Sequence, residues 1–171
     1  MSPPWSKPLD VDRLAETQAG LDFAVALAEL PRLRSRLASV EGNVHGRVHF
    51  AREGGVAVAE LTMSGTAKLA CQRCLEAMDV AVESRVRVGL ISAQAEINRV
   101  PQDLEPMLAP EGRVSIGELV EEELLLALPI VPLHEEAGEC AVAGSTPGVT
   151  DQREQPATQR PFERLGELLK R

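Results

Sequence analysis

The sequence predicts an α+β fold, in which one or two helices seal one face of an antiparallel sheet. Residues 44–50, 56–61 and 78–90 show the period-two alternation of apolar and polar residues that is typical of strands with one solvated face. The segment after Ser115 has apolar residues at helical intervals instead. Hairpin neighbours can be inferred from such patterns, but closure into a small, partly closed barrel cannot, so an open sheet and a barrel both remain as topologies.

The chain before residue 44 is expected to contain a short strand and a short helix. Leu21–Val25 alternates well enough for a strand. A brief helix from about Ala26 to Leu37 is expected to follow, although Pro31 limits where it begins, because proline lacks the N–H that a helix interior needs. The core must be aliphatic, since aromatic residues make up 2% of the chain and tyrosine is absent.

A pair of hairpins is expected in the middle of the chain. The alternation in residues 44–50 and 56–61 flanks the glycine-containing segment Arg52–Gly55, which predicts a turn between two strands. The odd-numbered positions stay apolar or small as far as Cys71, and a further strand is expected at Met78–Leu90. The residues between these last two elements are therefore expected to form a loop that joins two strands.

A helix is expected to begin after Ser115 and to end before Pro129. Ser115 and Glu118 have the spacing of a capping box, and apolar residues follow at helical intervals. The preceding residues, 92–112, contain three prolines and scattered acids and are expected to form an irregular loop. Three glutamates of the helix are expected to face water: Glu118, Glu121 and Glu122.

The C-terminal region is expected to be separate from a single α+β domain, which we place at residues 1–140. Residues 141–159 are rich in Gly, Pro, Ser, Thr and Gln and predict a flexible, disordered linker. Residues 160–171 form a short amphipathic tail, with Phe162 and Leu165 on its apolar side, which is suited to docking in a groove of a partner. Two alternatives stay open for the tail: a helix packed on its own domain, or no ordered structure.

The charge of the chain argues against a general nucleic-acid binder. The formal net charge is −8, whereas affinity for a phosphate backbone comes mainly from lysine and arginine. The charge is uneven, however, because residues 31–52 have five arginines and one acid, and residues 93–140 have eleven acids and two arginines. The first region includes Arg32, Arg34 and Arg36. A basic protein partner is therefore at least as well supported as RNA.

The sequence has no feature that predicts a membrane or an export route. No apolar run approaches the roughly 18 residues that span a bilayer, and the proline-rich start lacks a signal-peptide core. We therefore expect a cytoplasmic protein with no membrane partner. Three cysteines, an odd number, fit a disulfide framework poorly in such a chain. Metal binding, redox chemistry and simple burial remain as explanations for them.

Two pairs of residues have the spacing of metal ligands. Cys71 and Cys74 form a C-x2-C pair, in which two thiolates of one tight turn can bind a common zinc ion at about 2.3 Å. About sixty residues later, His134 and Cys140 would complete a structural Cys3His site if the two loops meet. The alternatives are that His134 is a surface residue beside two glutamates and that Cys140 is a free thiol.

Enzymatic interpretations of the cysteines are weaker. A thioredoxin-like dithiol begins a helix after a parallel strand, whereas this pair lies between strands expected to be antiparallel. A catalytic zinc would keep an open coordination position beside an acid or base, and Glu76 is the only nearby candidate in the sequence. The chain also lacks a phosphate-binding glycine-rich loop and a nucleophile elbow. The sequence therefore favours a structural site in a protein that is not an enzyme.

Two separated motifs resemble one known family. The segment Cys71-Gln72-Arg73-Cys74-Leu75-Glu76, and the later segment from Val120 to His134 with a cysteine after it, resemble the YceD-type large ribosomal RNA subunit accumulation proteins. The closing Pro161-Phe162-Glu163-Arg164-Leu165 is similar to the short tail of many members. The resemblance implies a bacterial cytosolic protein needed for normal accumulation of large-subunit (23S) ribosomal RNA, with no assigned enzymatic activity. Some members have cysteine at the position of His134, which implies interchangeable metal ligands there.

Together these observations predict a non-enzymatic factor in ribosome biogenesis. The acidic helix would hold a basic ribosomal protein or assembly factor of the large subunit, the Arg32–Arg36 region would contact ribosomal RNA, and the tail would add a second contact. The alternative for the helix is an ordinary solvated face. The alternative function is a direct RNA-binding or RNA-processing module. It would need aromatic stacking platforms, for which the chain has only four candidates: Trp5, Phe23, Phe50 and Phe162.

Overall fold

The computed structural model describes residues 4–135 and residue 140. Within them the chain forms a five-stranded sheet, a separate two-stranded sheet and two α-helices. In chain order the elements are β1 (Leu9–Asp10), α1 (Val11–Glu16), β2 (Gly20–Ala26), β3 (Asn43–Glu53), β4 (Val56–Ala70), β5 (Ala77–Ile91), β6 (Glu105–Leu108), β7 (Arg113–Val114) and α2 (Ile116–Ala127). Short 3-10 helices lie at Pro4–Ser6, Leu27–Glu29, Arg34–Arg36, Gln94–Arg99 and Pro110–Gly112.

The predicted α+β class is confirmed, and the sheet is open rather than closed into a barrel. Its order is β2-β3-β4-β5-β6, and within the described residues its two edge strands do not pair with each other. The first four strands are antiparallel neighbours, whereas β6 pairs with β5 in parallel. The small sheet joins β1 to β7 through the pairs Leu9↔Val114 and Asp10↔Arg113. No helix in residues 4–135 is long and apolar enough to cross a membrane.

The two predicted hairpins form the centre of the sheet. The β3–β4 hairpin closes at Gly54 and Gly55, whose φ angles of 57° and 84° match the two left-handed positions of a type I′ turn. The β4–β5 hairpin is longer, and its register is unbroken from Ala57↔Leu90 to Ala70↔Ala77. Because its pairing continues to Ala70↔Ala77, the C-x2-C segment lies at the tip of this long hairpin. The predicted loop between two strands is therefore confirmed.

The core lies where the inner face of the sheet meets α1 and α2. It is aliphatic, as composition requires, apart from two buried phenylalanines, Phe23 and Phe50. Helix α2 begins with the predicted capping box, in which the Glu118 N–H donates to Ser115 Oγ over 3.1 Å and the Ser115 N–H donates to the Glu118 carboxylate over 2.7 Å. The helix buries its apolar stripe in the core, including Leu119, Val120 and Leu124.

The predicted helix from Ala26 to Leu37 is wrong. The segment instead contains two 3-10 helices, Leu27–Glu29 and Arg34–Arg36, separated by the proline. Leu30 has an extended backbone with φ −102° and ψ 95°, which is the conformation that a residue before proline prefers. Leu27, Leu30 and Leu33 lie on both sides of this break, and all three are buried in the core. Their burial, not a regular helix, holds the segment in place.

The expectation that Glu121 faces water is also wrong. Its side chain is buried, and its carboxylate accepts the backbone N–H of Arg32 over 2.7 Å and that of Leu33 over 3.2 Å. Because the segment at Pro31 is not helical, these N–H groups have no acceptor within their own turn. Glu121 supplies that acceptor from α2, and it therefore holds the irregular segment against the helix.

Two further sequence predictions concern the loop before α2 and the C-terminal region. The loop at residues 92–112 is irregular in part but also contains the 3-10 helix Gln94–Arg99 and strand β6. A strand of four residues that includes Pro106 gives too short an alternation to be recognised. The predicted linker at 141–159 and tail at 160–171, with its Phe162 and Leu165, lie outside the described residues.

Replacing Glu121 with alanine is expected to lower the free energy of unfolding by about 2–4 kcal/mol, because two backbone N–H groups would lose their acceptor, one of them buried. The neighbouring change Glu122→Ala is the matched control, since this half-exposed side chain makes only a surface ion pair with Arg32, and it should cost about 1 kcal/mol or less. Urea unfolding of both variants measures the difference. Equal losses would contradict the role assigned to Glu121.

A second stability prediction concerns Gly46 in β3. A Cβ atom there would lie 2.0 Å from the backbone oxygen of Thr62 and 2.9 Å from Phe23 Cζ, so the paired strands would have to move apart. We expect Gly46→Ala to cost about 3 kcal/mol or more. Gly20→Ala is the control, because its Cβ would meet only the flexible end of Arg47, and it should cost about 1 kcal/mol or less. Thermal melting of both variants tests this, and a stable Gly46→Ala protein would disprove it.

Candidate metal centre

The tip of the β4–β5 hairpin, residues 71–76, is folded by its own backbone. The Cys71 N–H donates to the Glu76 carbonyl over 2.9 Å, and the Leu75 N–H donates to the Cys71 carbonyl over 2.8 Å. Leu75 has a left-handed φ of 64°, which turns the chain back toward β5. This compact turn directs the sulfur atoms of Cys71 and Cys74 to the same side.

The second half of the cluster comes from the segment after α2, residues 129–135. Two prolines in it, Pro129 and Pro132, prevent the helix from continuing. The segment then passes the hairpin tip, where the Gln72 N–H donates to the Pro132 carbonyl over 2.9 Å. This hydrogen bond joins chain segments about sixty residues apart and brings His134 beside the two cysteines.

The structure brings together all four residues that sequence spacing singled out. Their ligand atoms, three Sγ atoms and one imidazole nitrogen, all lie within 4.8 Å of one another in the ligand cluster: Cys71, Cys74, His134 and Cys140. Cys71 Sγ is 4.0 Å from Cys140 Sγ, and His134 Nδ1 is 3.6 Å from the sulfur atoms of both Cys74 and Cys140. The alternatives of an isolated surface histidine and an isolated thiol do not describe this arrangement.

These separations fit a tetrahedral ion. With zinc–sulfur bonds of about 2.3 Å and a zinc–nitrogen bond of about 2.0 Å, tetrahedral geometry places sulfur atoms about 3.8 Å apart and sulfur about 3.5 Å from nitrogen. The observed 4.0 Å and 3.6 Å lie close to both values. A disulfide would need about 2.05 Å between sulfur atoms, and all three cysteines are free. The donor set, three sulfurs and one imidazole, is that of structural zinc sites.

The electrostatics of the cluster favour an anionic sulfur at Cys71. Burial raises the pKa of this thiol, but hydrogen bonding by the backbones of Cys74, Arg73 and His134 outweighs burial and lowers the pKa to about 5. One of these contacts is the Arg73 N–H, 3.4 Å from the sulfur. At Cys140 the direction is opposite, since burial and the two neighbouring sulfurs raise the pKa of the thiol. Of Cys71 and Cys140, Cys71 is therefore the more readily deprotonated for metal binding.

The ligand cluster is enclosed. All three cysteines are buried, His134 is half-buried, and Met78 of β5 packs against the sulfur atoms. The single acid that sequence reasoning considered for catalysis, Glu76, is exposed, and it is its backbone carbonyl, not its side chain, that accepts the Cys71 N–H in the loop. Four candidate ligands with little solvent access suit a structural site, because a catalytic zinc keeps a position open.

The charged residues predicted to bind partners are partly engaged within the chain itself. Glu118 belongs to the capping box, and Glu122 forms an ion pair with Arg32. Hydrogen bonding and charge attraction from Glu122 raise the pKa of Arg32. Arg34 Nε donates to the Ala28 carbonyl over 2.8 Å, while Arg36 is exposed. The positive and negative regions of the sequence therefore meet each other across α2, and partner binding by these residues stays a prediction.

The aromatic residues of the described part offer no stacking platform for RNA. Phe23 and Phe50 are buried in the core, and Trp5 is partly buried beside Gly117 at the start of α2. Bases stack on exposed aromatic faces, so these rings cannot serve that purpose.

Two contacts were not predicted from the sequence. One is the hydrogen bond between the Gln72 N–H and the Pro132 carbonyl, which is a backbone contact without a sequence signal. The other is the acceptance of two backbone N–H groups by the Glu121 carboxylate.

An open, mainly antiparallel sheet with helices on one face, and a Cys3His cluster shared between its longest hairpin and a distant loop, define a class of small α+β proteins. Comparison with known proteins then identifies the family. The profile described as large ribosomal RNA subunit accumulation protein YceD matches residues 59–169, and the chain belongs to this family. The family resemblance inferred from the motifs is confirmed.

One curated relative illustrates the similarity. The large ribosomal RNA subunit accumulation protein YceD of Haemophilus influenzae is 29% identical over 134 residues, which covers 74% of this chain and 75% of the relative. No solved structure matches the chain. The family is named for accumulation of the large ribosomal RNA subunit, and that name denotes neither an enzymatic activity nor a metal.

Proposed function

We propose that this protein is a non-enzymatic factor of ribosome biogenesis that supports the accumulation of large-subunit (23S) ribosomal RNA in the cytoplasm. Membership of the YceD family carries this proposal. The described residues are consistent with a binding role, because the one cluster of chemically reactive side chains is enclosed and has the composition of a structural site. The partner would be a ribosomal protein or assembly factor of the large subunit, with ribosomal RNA reached through arginines such as Arg36.

The ligand cluster would hold a structural zinc ion. Supporting this are its donor set, its burial and ligand separations that suit a tetrahedral ion. Cys71 and Cys74 would hold the ion from the hairpin tip, and His134 and Cys140 would hold it from the segment after α2. Bound zinc would supply a cross-link between these segments, and in small metal sites such binding energy is part of the folding energy.

Zinc content is the first test of this proposal. Purified protein should contain about one zinc per chain by mass spectrometry, and each of four substitutions should abolish it: Cys71→Ser, Cys74→Ser, His134→Ala and Cys140→Ser. His45→Ala and His49→Ala are matched controls, because both histidines are exposed on β3 and should leave the zinc content unchanged.

A chelator experiment tests the same proposal on the unmodified protein, so it does not depend on whether a substituted chain folds. Removing zinc from the unmodified protein should lower its melting temperature by at least about 10 °C, and added zinc should restore it. Purified protein that folds normally, contains no metal and melts at the same temperature with and without chelator would refute the structural zinc.

The cellular role can be tested by complementation. In a bacterium that lacks its own YceD-family protein, expression of this chain should restore the ratio of large-subunit to small-subunit ribosomal RNA. Cys71→Ser should restore less, because its hairpin tip would not be fixed, whereas His49→Ala should restore the full ratio. Protein abundance is measured in parallel by immunoblotting. An unrestored ratio at normal abundance of the unmodified protein would contradict the proposed function.

A further inference from the structure

A groove runs between α2 and the edge of the main sheet formed by β5 and β6. It is open to solvent, has a volume of about 360 Å³ and is lined by none of the ligand-cluster residues. Its sheet side presents Val86 and Val88 of β5 and Met107 of β6, and its helix side presents Leu119 and Leu126. Apolar side chains therefore line both walls, which is the form of groove that accepts an apolar stripe of a partner.

Two leucines at the groove are exposed although nothing in the described fold requires it. Leu126 of α2 is 71% exposed and Leu108 of β6 is 47% exposed, and they border the groove from opposite sides. Eight large apolar side chains are exposed in the part of the chain that the structure describes, and of these Leu108 and Leu126 are the two that line this groove. Contiguous apolar surface of this kind marks a site of protein association.

The charges around the groove are of one sign. Among the described residues, three carboxylates line it, Glu105, Glu122 and Glu123, and no lysine or arginine does. Glu122 is paired with the nearby Arg32, and Glu123 accepts a hydrogen bond from the Ser84 hydroxyl, so both are also held in place by the fold. Glu105 is exposed at the sheet edge. After the Arg32 pair is discounted, two negative charges remain, and they favour a cationic occupant.

The edge strand argues for a helical occupant rather than an added strand. Strand β6 is only four residues long, and one of the four is Pro106, which has no backbone N–H. Short edges that carry proline are poor templates for strand addition. The groove instead offers side chains from α2 and the sheet, which suits the apolar face of a helix with leucines at i, i+3, i+4 and i+7.

We propose that this groove binds a cationic amphipathic helix of a partner protein. The apolar face of that helix would cover Leu108 and Leu126, and its lysines or arginines would face Glu105 and Glu123. This inference rests on the proposed function in one respect only, which is the identification of the partner as a basic protein of the large subunit. The groove chemistry itself rests on the side chains described above.

The test uses the full-length protein and a synthetic probe. The probe is a labelled peptide of about 18 residues, with leucines at i, i+3, i+4 and i+7 and lysine or alanine elsewhere, a length at which such helices form on binding. A peptide of identical composition with the leucines scrambled controls for attraction between a cationic peptide and an acidic protein. Fluorescence anisotropy should show binding of the amphipathic peptide and at least about tenfold weaker binding of the scrambled one.

Two matched pairs of variants locate the binding. Leu126→Asp should weaken binding of the amphipathic peptide by about tenfold. Ile130→Asp also replaces an exposed aliphatic side chain with a carboxylate, but this side chain, 87% exposed, lies outside the groove, so binding should not change. Glu105→Lys should weaken binding, whereas Glu83→Lys, an exposed site on β5 that does not line the groove, should have little effect. Circular dichroism verifies that all four variants are folded.

Three results would overturn the proposal. Equal binding of the scrambled peptide, or equal losses within each pair of variants, would show that general charge attraction accounts for binding. A dimer in sedimentation experiments that Leu126→Asp dissociates would show that the groove is occupied by a second copy of this chain. These experiments measure peptide affinity and mass in purified protein, so their failure is distinct from a failure to restore ribosomal RNA in cells.

Discussion

The meeting of two distant loops at the ligand cluster is the constraint on which the rest of this structure depends. The hairpin tip is the far end of the β4–β5 arm, and the segment after α2 reaches it only because the helix ends at the prolines that follow it. The Gln72–Pro132 hydrogen bond fixes this contact on the backbone, and the four ligand atoms gather beside it. Bringing segments so far apart into contact has an entropic cost, which a metal ion bound by both would offset.

The same contact positions α2 over the sheet, and Glu121 strengthens that position from the other side. The chain around Pro31 cannot form a regular helix, so it needs acceptors for its backbone donors, and a carboxylate from α2 provides them. One helix therefore connects three parts of the protein: the core through its apolar stripe, the irregular arginine segment through Glu121, and the hairpin tip through its exit. The face of α2 that remains beside β6 forms the groove.

Much of this architecture follows from the sequence, and the failures have identifiable causes. Alternation predicted β3, β4 and β5, and the Ser115–Glu118 capping box predicted the start of α2, because each is a local signal. Spacing and residue type singled out the four residues of the cluster, but the alternatives for His134 and Cys140 stayed open, because whether two loops about sixty residues apart meet is not a local signal. Glu121 was misjudged because its acceptor role depends on a segment about ninety residues away. Strand β6 was missed because four residues that include Pro106 give too short an alternation, and its parallel pairing with β5 has no hairpin turn to signal it.

The central claim is that a metal ion bound by both loops holds the hairpin tip to the segment after α2. X-ray absorption at the zinc edge of the purified protein tests it most directly, because the spectrum reports the ligands themselves. The account predicts about three sulfur atoms at about 2.3 Å and one nitrogen at about 2.0 Å. A coordination shell with only two sulfur atoms, completed by oxygen from solvent, would mean that the hairpin tip binds metal alone, and it would contradict the account.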